Sequence, residues 1–289
     1  MSGFSTPLLF AGFAGASLIV LVCGIRITSV TDRLADRTGI GEALMGGIFL
    51  GAATSLSGAV VSLTTALDGY PSLAFSNCVG GIAAQTAFLS IADIVYRRAN
   101  LEHAAADLTN VFQAALLMLL LCIPIVAFAT PEVSFVGIHP ASFVLMAVYV
   151  FGVKASYQIR ERPMWQPVTT HVTDPDTPDE DSDNGHKTAV LLCIFAGLML
   201  AMGGAGWIIA QTAVEITNRF GLSATTVGVL LTAIATSLPE LVTTLAAVRS
   251  GALQLAVGGI IGGNTIDTMF ITISDIGYRD GSIYHALGS

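Results

Sequence analysis

Long apolar stretches that are almost free of charged residues run along most of this chain. Of its 289 residues, 53% are hydrophobic and only 11% are charged, and the mean hydropathy is +0.75. A soluble domain carries about 25% charged residues, so this chain lacks the polar side chains that a water-facing surface needs. A helix that crosses a bilayer needs roughly 20 apolar residues. The sequence therefore predicts an all-α integral membrane protein whose main contact is the lipid bilayer.

Eight stretches are long enough to cross a membrane. They are Pro7–Ile25, Ala43–Leu67, Pro71–Ala92, Val111–Thr130, Val133–Val153, Thr188–Val214, Phe220–Val248 and Ser250–Ser274. The last two contain one acidic residue each. His139 and Pro140 are an alternative start for the fifth helix. The four cysteines lie in apolar stretches without CxxC spacing and are interpreted as small core residues.

The positions of the positive charges predict the orientation. With the N-terminus outside, all 12 lysine and arginine residues except Arg219 and Arg279 lie on the cytoplasmic side. We therefore expect a multi-pass protein of the cell membrane with a cytoplasmic linker at residues 159–187. The acidic, proline-bearing composition of this linker favours a solvated, disordered segment over a calcium-sensing loop. The net charge of −8 argues against nucleic acid as a partner.

The sequence matches itself when it is shifted by 182 residues. The matched segments are Phe13-Ala14-Gly15 with Phe195-Ala196-Gly197, Ala53-Thr54-Ser55-Leu56 with Ala235-Thr236-Ser237-Leu238, Gly80-Gly81 with Gly262-Gly263, and Asp93-Ile94 with Asp275-Ile276. A repeat that begins after five helices must reverse its direction in the membrane, as inverted repeats of secondary transporters do. We predict a first repeat at 7–158 (helices one to five) and a second at 188–289 (helices six to eight). A duplicated bundle with a purely structural role is the alternative.

The second repeat has no counterparts of helices four and five before Ser289. Two explanations are open: two helices have been lost, or the chain is a truncated gene product. A partner chain that supplies the missing helices, or a homo-oligomer, is a further alternative.

Glu240 and Asp267 are the two acids that fall deep inside the predicted helices. An acid near the bilayer centre is unfavourable by roughly 2.5–3.5 kcal/mol, so a lipid-facing pair would cost about 5–7 kcal/mol. We therefore expect both to face a cavity, each other or an ion. The alternative is that they are protonated and hydrogen-bonded within the bundle. Pro239 is expected to break its helix and to expose carbonyl oxygens beside the hydroxyls of Thr236 and Ser237. Oxygen clusters of this kind suit Na⁺ or Ca²⁺.

The segment Thr236-Ser237-Leu238-Pro239-Glu240, followed by a glycine-rich stretch and Asp267, resembles the second α-repeat of the calcium:cation antiporter superfamily, the sodium/calcium exchanger membrane domain. The resemblance implies ten helices in two inverted repeats, with a cytoplasmic loop after the fifth. It also implies a cation site. The implied ligands are Glu240, Asp267, Thr236 and Ser237, with Thr54, Ser55 and Gln85 as their first-repeat counterparts.

The first repeat departs from the family pattern. It has Ser57-Gly58 where the family has a Pro-Glu pair, and Gly81 and Gly263 replace common serines. Asn77 is kept in the first repeat, whereas its second-repeat counterpart is Gly259. Two carboxylates are fewer than Ca²⁺ usually has, which favours a monovalent ion, a proton or a weak Ca²⁺ site. Without a proline at Ser57, the carbonyl oxygens of the second helix are expected to keep their helical hydrogen bonds and the helix to remain unbroken. The alternative is a flexible point at Gly58, or room there for a facing helix.

These observations favour a secondary antiporter that moves Ca²⁺ or another cation against Na⁺ or H⁺. Its partners would be inorganic cations, with no resident cofactor. The competing hypothesis is a membrane scaffold or sensor that does not transport and keeps a degenerate ion site. The sequence contains no nucleophile elbow, P-loop or dinucleotide fingerprint, so we do not expect an enzyme.

Overall fold

The computed structural model describes residues 4–38, 50–161 and 188–287, and these residues are almost entirely helical. The α-helices are α1 (Thr6–Thr38), α2 (Gly51–Thr54), α3 (Leu56–Leu67), α4 (Pro71–Val95), α5 (Leu101–Ala104), α6 (Leu108–Ala129), α7 (Pro140–Glu161), α8 (Thr188–Phe220), α9 (Ala224–Val227), α10 (Ala233–Ser250), α11 (Leu253–Asp267) and α12 (Met269–Gly277). A π-helical turn, Gly228–Thr232, joins α9 to α10.

Within the described ranges, 7 helical segments are long and apolar enough to cross a membrane. The short helices α2 and α3 are the described part of the predicted second span, whose first residues, 43–49, lie outside the described residues. The predicted count of about eight helices is therefore confirmed. Most of the predicted acidic linker, residues 162–187, also lies outside the described residues.

The fifth predicted helix begins later than its apolar stretch suggests. The expected start at Val133 is wrong and the alternative start at His139 and Pro140 is confirmed, because α7 begins at Pro140. Residues 130–139 form a loop, in which Phe135 and Ile138 pair their backbones and Gly137 has a positive φ of 76°. Proline favours the first turn of a helix, since its missing N–H is not needed there. The apolar residues before Pro140 lengthen the hydrophobic stretch, but they do not form helix.

The two repeats run in opposite directions through the bundle. Helices α1 and α8 are both 33 residues long, and they begin 182 residues apart. They pack antiparallel, since Nη1 of Arg219 at the end of α8 donates to the carbonyl oxygen of Phe4 at 2.8 Å. The inverted topology of the predicted fold is confirmed. We call the end of the bundle that holds Glu161 and Thr188 the linker side.

The irregular turns do not lie where the prolines predicted them. Helix α10 continues through Pro239, so the expected break at that residue is wrong. The irregularity lies upstream in the π-helical turn, a widened geometry that often occurs inside functional helices. In the first repeat the outcome is the opposite, since an irregularity occurs where none was predicted. The helix that was expected to remain unbroken is interrupted at Ser55, between α2 and α3.

Two glycines bring the long helices into close contact with the site helices. A Cβ atom on Gly206 of α8 would lie 2.7 Å from the carbonyl oxygen of Ser57. A Cβ atom on Gly24 of α1 would overlap the ring of Pro239. Gly24 and Gly206 are repeat counterparts, as are Ser57 and Pro239. The same glycine contact is thus made twice, once in each half, and small residues permit this close approach between helices.

Two buried or half-buried aspartates hold the chain where α4 and α12 end. Oδ1 of Asp93 accepts a hydrogen bond from the backbone N–H of Leu101 at 2.7 Å. Its counterpart Asp275 accepts one from the backbone N–H of Ile283 at 3.1 Å through Oδ1. Oδ2 of Asp275 also accepts from the backbone N–H of His139 at 2.8 Å. These aspartates therefore tie adjoining loops to helix ends.

We expect Gly24→Ala and Gly206→Ala each to lower the stability of the protein by about 1–3 kcal/mol, because the added methyl group overpacks a tight contact. Thermal unfolding of the purified protein in detergent measures the effect. Gly15 and Gly197 are matched controls on the same two helices, since no described atom lies within 4 Å of a Cβ placed there. Equal unfolding midpoints for all four alanine variants would contradict the proposed close contacts.

Candidate cation site

The structure brings the two intramembrane acids together. Glu240 on α10 and Asp267 at the end of α11 are 6% and 3% exposed. Their carboxyl groups lie within electrostatic reach of each other, and that of Glu240 is beside the side chain of Thr54 from the first repeat. Neither acid faces lipid, as the cost of a lipid-facing charge requires.

One hydrogen bond joins the second-repeat acid to its first-repeat counterpart. Nε2 of Gln85 donates to Oδ2 of Asp267 at 2.6 Å, and both side chains are buried. An amide can donate to a carboxylate, whereas two carboxylates at this distance would repel each other. Gln85 therefore neutralises none of the charge of Asp267 but fixes the position of one of its oxygens. The other oxygen stays free for a second interaction.

The predicted hydroxyl groups occupy equivalent places in the two halves. Oγ1 of Thr54 donates to the carbonyl oxygen of Leu50 at 3.0 Å. Oγ1 of Thr236 donates to the carbonyl oxygen of Thr232 at 2.9 Å. Each hydroxyl group uses its single proton on its own helix, which leaves only lone pairs for other contacts.

The serines that follow these threonines lie close to Asp267. Ser55 is beside the Asp267 carboxyl group. The hydroxyl oxygen of Ser237 and Oδ2 of Asp267 both lie 3.6 Å from the place where a Cβ on Gly81 would be. All of the predicted oxygen donors of both repeats are therefore buried, and Gln85, Thr54, Ser55 and Ser237 lie near one of the two acids.

Five buried oxygen atoms at this site have no hydrogen-bond partner among the described residues. They are Ser55 Oγ, Gln85 Oε1, Glu240 Oε2, Asn264 Oδ1 and Asp267 Oδ1. A buried polar atom without a partner is unfavourable by about 1–3 kcal/mol, so such a group needs a ligand or a function. Oxygen donors with two carboxylates among them are the ligands that hard cations such as Na⁺ and Ca²⁺ prefer.

No group of three or more histidine, cysteine, aspartate or glutamate side chains that could hold a metal ion occurs in the described ranges. A cation at this site would therefore be held by the two acids and by neutral oxygens.

Asn264 was not among the residues that the sequence predicted for the site. It is 2% exposed, and its Nδ2 donates to Oγ1 of Thr86 at 3.3 Å. It lies three residues before Asp267 in the glycine-rich segment, so its position along the helix was the available signal. Asn77 was noted in the sequence without a role. Its Nδ2 donates to the carbonyl oxygen of Gly58 at 3.1 Å and to Oγ of Ser62 at 2.9 Å.

The first repeat has no space for the missing carboxylate in this structure. A Cβ atom on Gly58, the counterpart of Glu240, would lie 2.8 Å from Cε2 of Phe270. Phe270 on α12 is itself 5% exposed and belongs to a packed apolar cluster. The loss of the acid is therefore accompanied by an aromatic ring against the vacated helix position.

A bundle of membrane-crossing helices, built from inverted repeats with buried acids where the repeats meet, defines the transporter class of multi-pass membrane proteins. The family model described as "Sodium/calcium exchanger protein" matches residues 8–157 and 189–274. The chain belongs to the sodium/calcium exchanger family. This is a family of transporters and not of enzymes.

Two relatives and one solved structure illustrate the similarity. The chain is 26% identical over 280 residues to the "Inner membrane protein YrbG" of Escherichia coli K12, a match that covers 92% of this chain and 78% of the relative. It is 34% identical over 85 residues to the "Putative antiporter CaxA" of Alkalimonas amylolytica, which covers 29% of this chain and 26% of the relative. The sodium-calcium exchanger NCX_Mj, soaked with 2.5 mM Na⁺ and 0.1 mM Ca²⁺, superposes with a TM-score of 0.62 at 15% identity. That superposition covers 97% of this chain and 85% of the exchanger, and it shows a shared fold.

We expect Gly58→Glu to lower the unfolding midpoint, because the new side chain overlaps Phe270. The double variant Gly58→Glu with Phe270→Ala should recover part of that loss, so the two changes are non-additive as expected for residues in contact. Phe270→Ala alone is the matched control and should be destabilised by about 3–5 kcal/mol through the cavity it leaves. Additive effects in this double-mutant cycle would show that Phe270 does not occupy the position opposite Gly58.

Proposed function

We propose that this protein is a secondary active antiporter that moves Ca²⁺ or another cation against Na⁺ or H⁺ by alternating access. One observation supports the proposal above the others. Glu240 and Asp267 from the second repeat meet Gln85, Thr54 and Ser55 from the first repeat, and several of their oxygens have no partner among the described residues. The family and the fold agree with cation antiport, and the choice of ions is our inference.

The charge of the site explains how two cations would compete for it. Two ionised carboxyl groups carry a charge of about −2, which one divalent cation or two monovalent cations neutralise. Protons compete for the same groups, because burial opposes the charged form of a carboxyl group. A cation can therefore bind only when its competitor has left, which is the condition for exchange. The absence of an acid at Gly58 predicts weak Ca²⁺ binding relative to a site with more carboxylates.

The inverted repeats supply the movement. Alternating access in such proteins comes from rocking one repeat against the other around a fixed central site. Here the ligands come from both repeats, since Gln85 lies on α4 and Asp267 on α11. Movement of one repeat would therefore change the distances between its ligands and those of the other repeat. We propose in addition that the linker side faces the cytoplasm, because most lysine and arginine residues of the chain fall at that end.

A second candidate function is a scaffold or sensor that binds cations without transporting them. The packing of Phe270 against Gly58 favours it, because the first half lacks both an acid and the space for one. In this case cations would stabilise the protein by mass action, yet no gradient-driven flux would follow.

The test is flux in liposomes of purified protein with imposed Na⁺ or pH gradients, with radioactive calcium and sodium as tracers. We expect gradient-driven uptake by the native chain. Glu240→Gln and Asp267→Asn should each lower the initial rate by roughly tenfold or more, since a tenfold loss requires only about 1.4 kcal/mol of cation binding. Asp68→Asn is the matched control, because that carboxylate is exposed at the opposite end of the bundle and bonds to Gln211.

Absence of gradient-driven flux from folded protein, or an unchanged rate in Glu240→Gln, rules out the antiporter. Cation-dependent thermal stabilisation without flux would instead support the sensor. Stabilisation that is lost in Glu240→Gln would place the bound cation at this site in either case.

A further inference from the structure

A small cavity lies beside Glu240 on the linker side of the site. Its volume is ≈ 40 Å³, enough for at least one water molecule, which needs about 10–15 Å³. Its lining includes Thr28, Thr54, Glu240, Thr243, Thr244 and Gly259. Leu255, which also lines it, is 36% exposed, so this wall of the cavity lies at the outside of the bundle.

The lining is suited to cations and not to anions. Oγ1 of Thr28 donates to the carbonyl oxygen of Gly24 at 3.0 Å, and Oγ1 of Thr243 donates to that of Glu240 at 3.2 Å. Thr54 donates to Leu50 in the same way. These hydroxyl groups have no proton left for an anion, and their lone pairs remain. Oε2 of Glu240 has no partner in the described part of the chain.

The mirror position in the first half is filled. The counterparts of Glu240, Thr244 and Gly259 are Gly58, Ser62 and Asn77. The Asn77 amide bonds to the Gly58 carbonyl oxygen and to the Ser62 hydroxyl group, and Asn77 is 2% exposed. At Gly259, by contrast, no described atom lies within 4 Å of an added Cβ. One side chain thus separates an open half from a closed half.

We propose that the cavity beside Gly259 is the path by which cations reach Glu240, and that Asn77 closes the mirror-image path beside Gly58. The inference rests on the proposed function in assuming that cations bind at Glu240. In this proposal, one pair of repeat counterparts, Asn77 and Gly259, determines the side of the bundle from which the site can be reached. In the described part of the chain, access is therefore from the linker side.

The first test compares two engineered thiols at repeat-equivalent positions. Thr244→Cys and Ser62→Cys are made in a background in which the four native cysteines are replaced by alanine, and a water-soluble charged thiol reagent is added to the protein in detergent. We expect Thr244→Cys to react faster than Ser62→Cys by roughly tenfold or more, because reaction requires a solvated thiolate. Equal rates, or faster reaction at Ser62→Cys, overturn the proposal.

The second test exchanges the pair. Gly259→Asn should place an amide in the cavity and slow the labelling of Thr244→Cys to the rate of Ser62→Cys. Asn77→Gly should remove the closing amide and raise the labelling rate of Ser62→Cys toward that of Thr244→Cys. Gly259→Ala is a milder control, since one methyl group leaves most of the cavity open. No change in either thiol contradicts the assignment.

Folding is checked by thermal unfolding, and Gly259→Asn is expected to fold because its side chain enters open space. Labelling needs no transport, so the access proposal and the antiporter proposal fail separately. If the liposomes show no flux while the two thiols differ as expected, only the antiporter is wrong. If flux is present and the thiols react equally, only the access path is wrong.

Discussion

The burial of two carboxyl groups in a membrane bundle is the constraint on which the other features of the site depend. A lipid-facing acid is unfavourable by roughly 2.5–3.5 kcal/mol, so Glu240 and Asp267 require polar neighbours from the packed interior. The first repeat supplies them, most directly through the amide of Gln85, which donates to Asp267 at 2.6 Å. The same neighbours that stabilise the buried acids leave some oxygen atoms without a partner among the described residues, and these atoms are the basis of the proposed cation site.

Much of this architecture can be predicted from the sequence, because it depends on properties of long segments: their mean hydropathy and their repetition along the chain. Hydropathy located the membrane helices, and the repeat offset implied the inverted topology before any contact was known. Glu240 and Asp267 were predicted to face the interior because a charged group in contact with lipid is unfavourable. Local geometry was less predictable. Pro239 was expected to break a helix that continues through it, and Ser55 interrupts one that was expected to be regular. Such local geometry depends on packing between distant segments, which one-dimensional patterns do not contain.

The cavity beside Glu240 and the Phe270 ring against Gly58 could not be predicted from the sequence either. Each depends on which side chains from distant segments of the chain pack together. The absence of a side chain at Gly259 has a different meaning from that at Gly58, although both residues are glycine. At Gly58 the space is taken by Phe270, whereas at Gly259 it is open. The repeat alignment showed where the halves differ, and only the packing shows what each difference does.

The covalent connection between the two halves makes these differences attainable. In a symmetric dimer of half-length chains, every substitution appears twice, once on each side of the symmetry axis. An asparagine that closes one path would close both, and a glutamate lost from one half would be lost from the other. In a fused chain, Asn77 and Gly259, like Gly58 and Glu240, vary independently. Duplication within one chain thus allows one half to specialise in holding charge while the other becomes neutral, a division of labour that a symmetric assembly excludes.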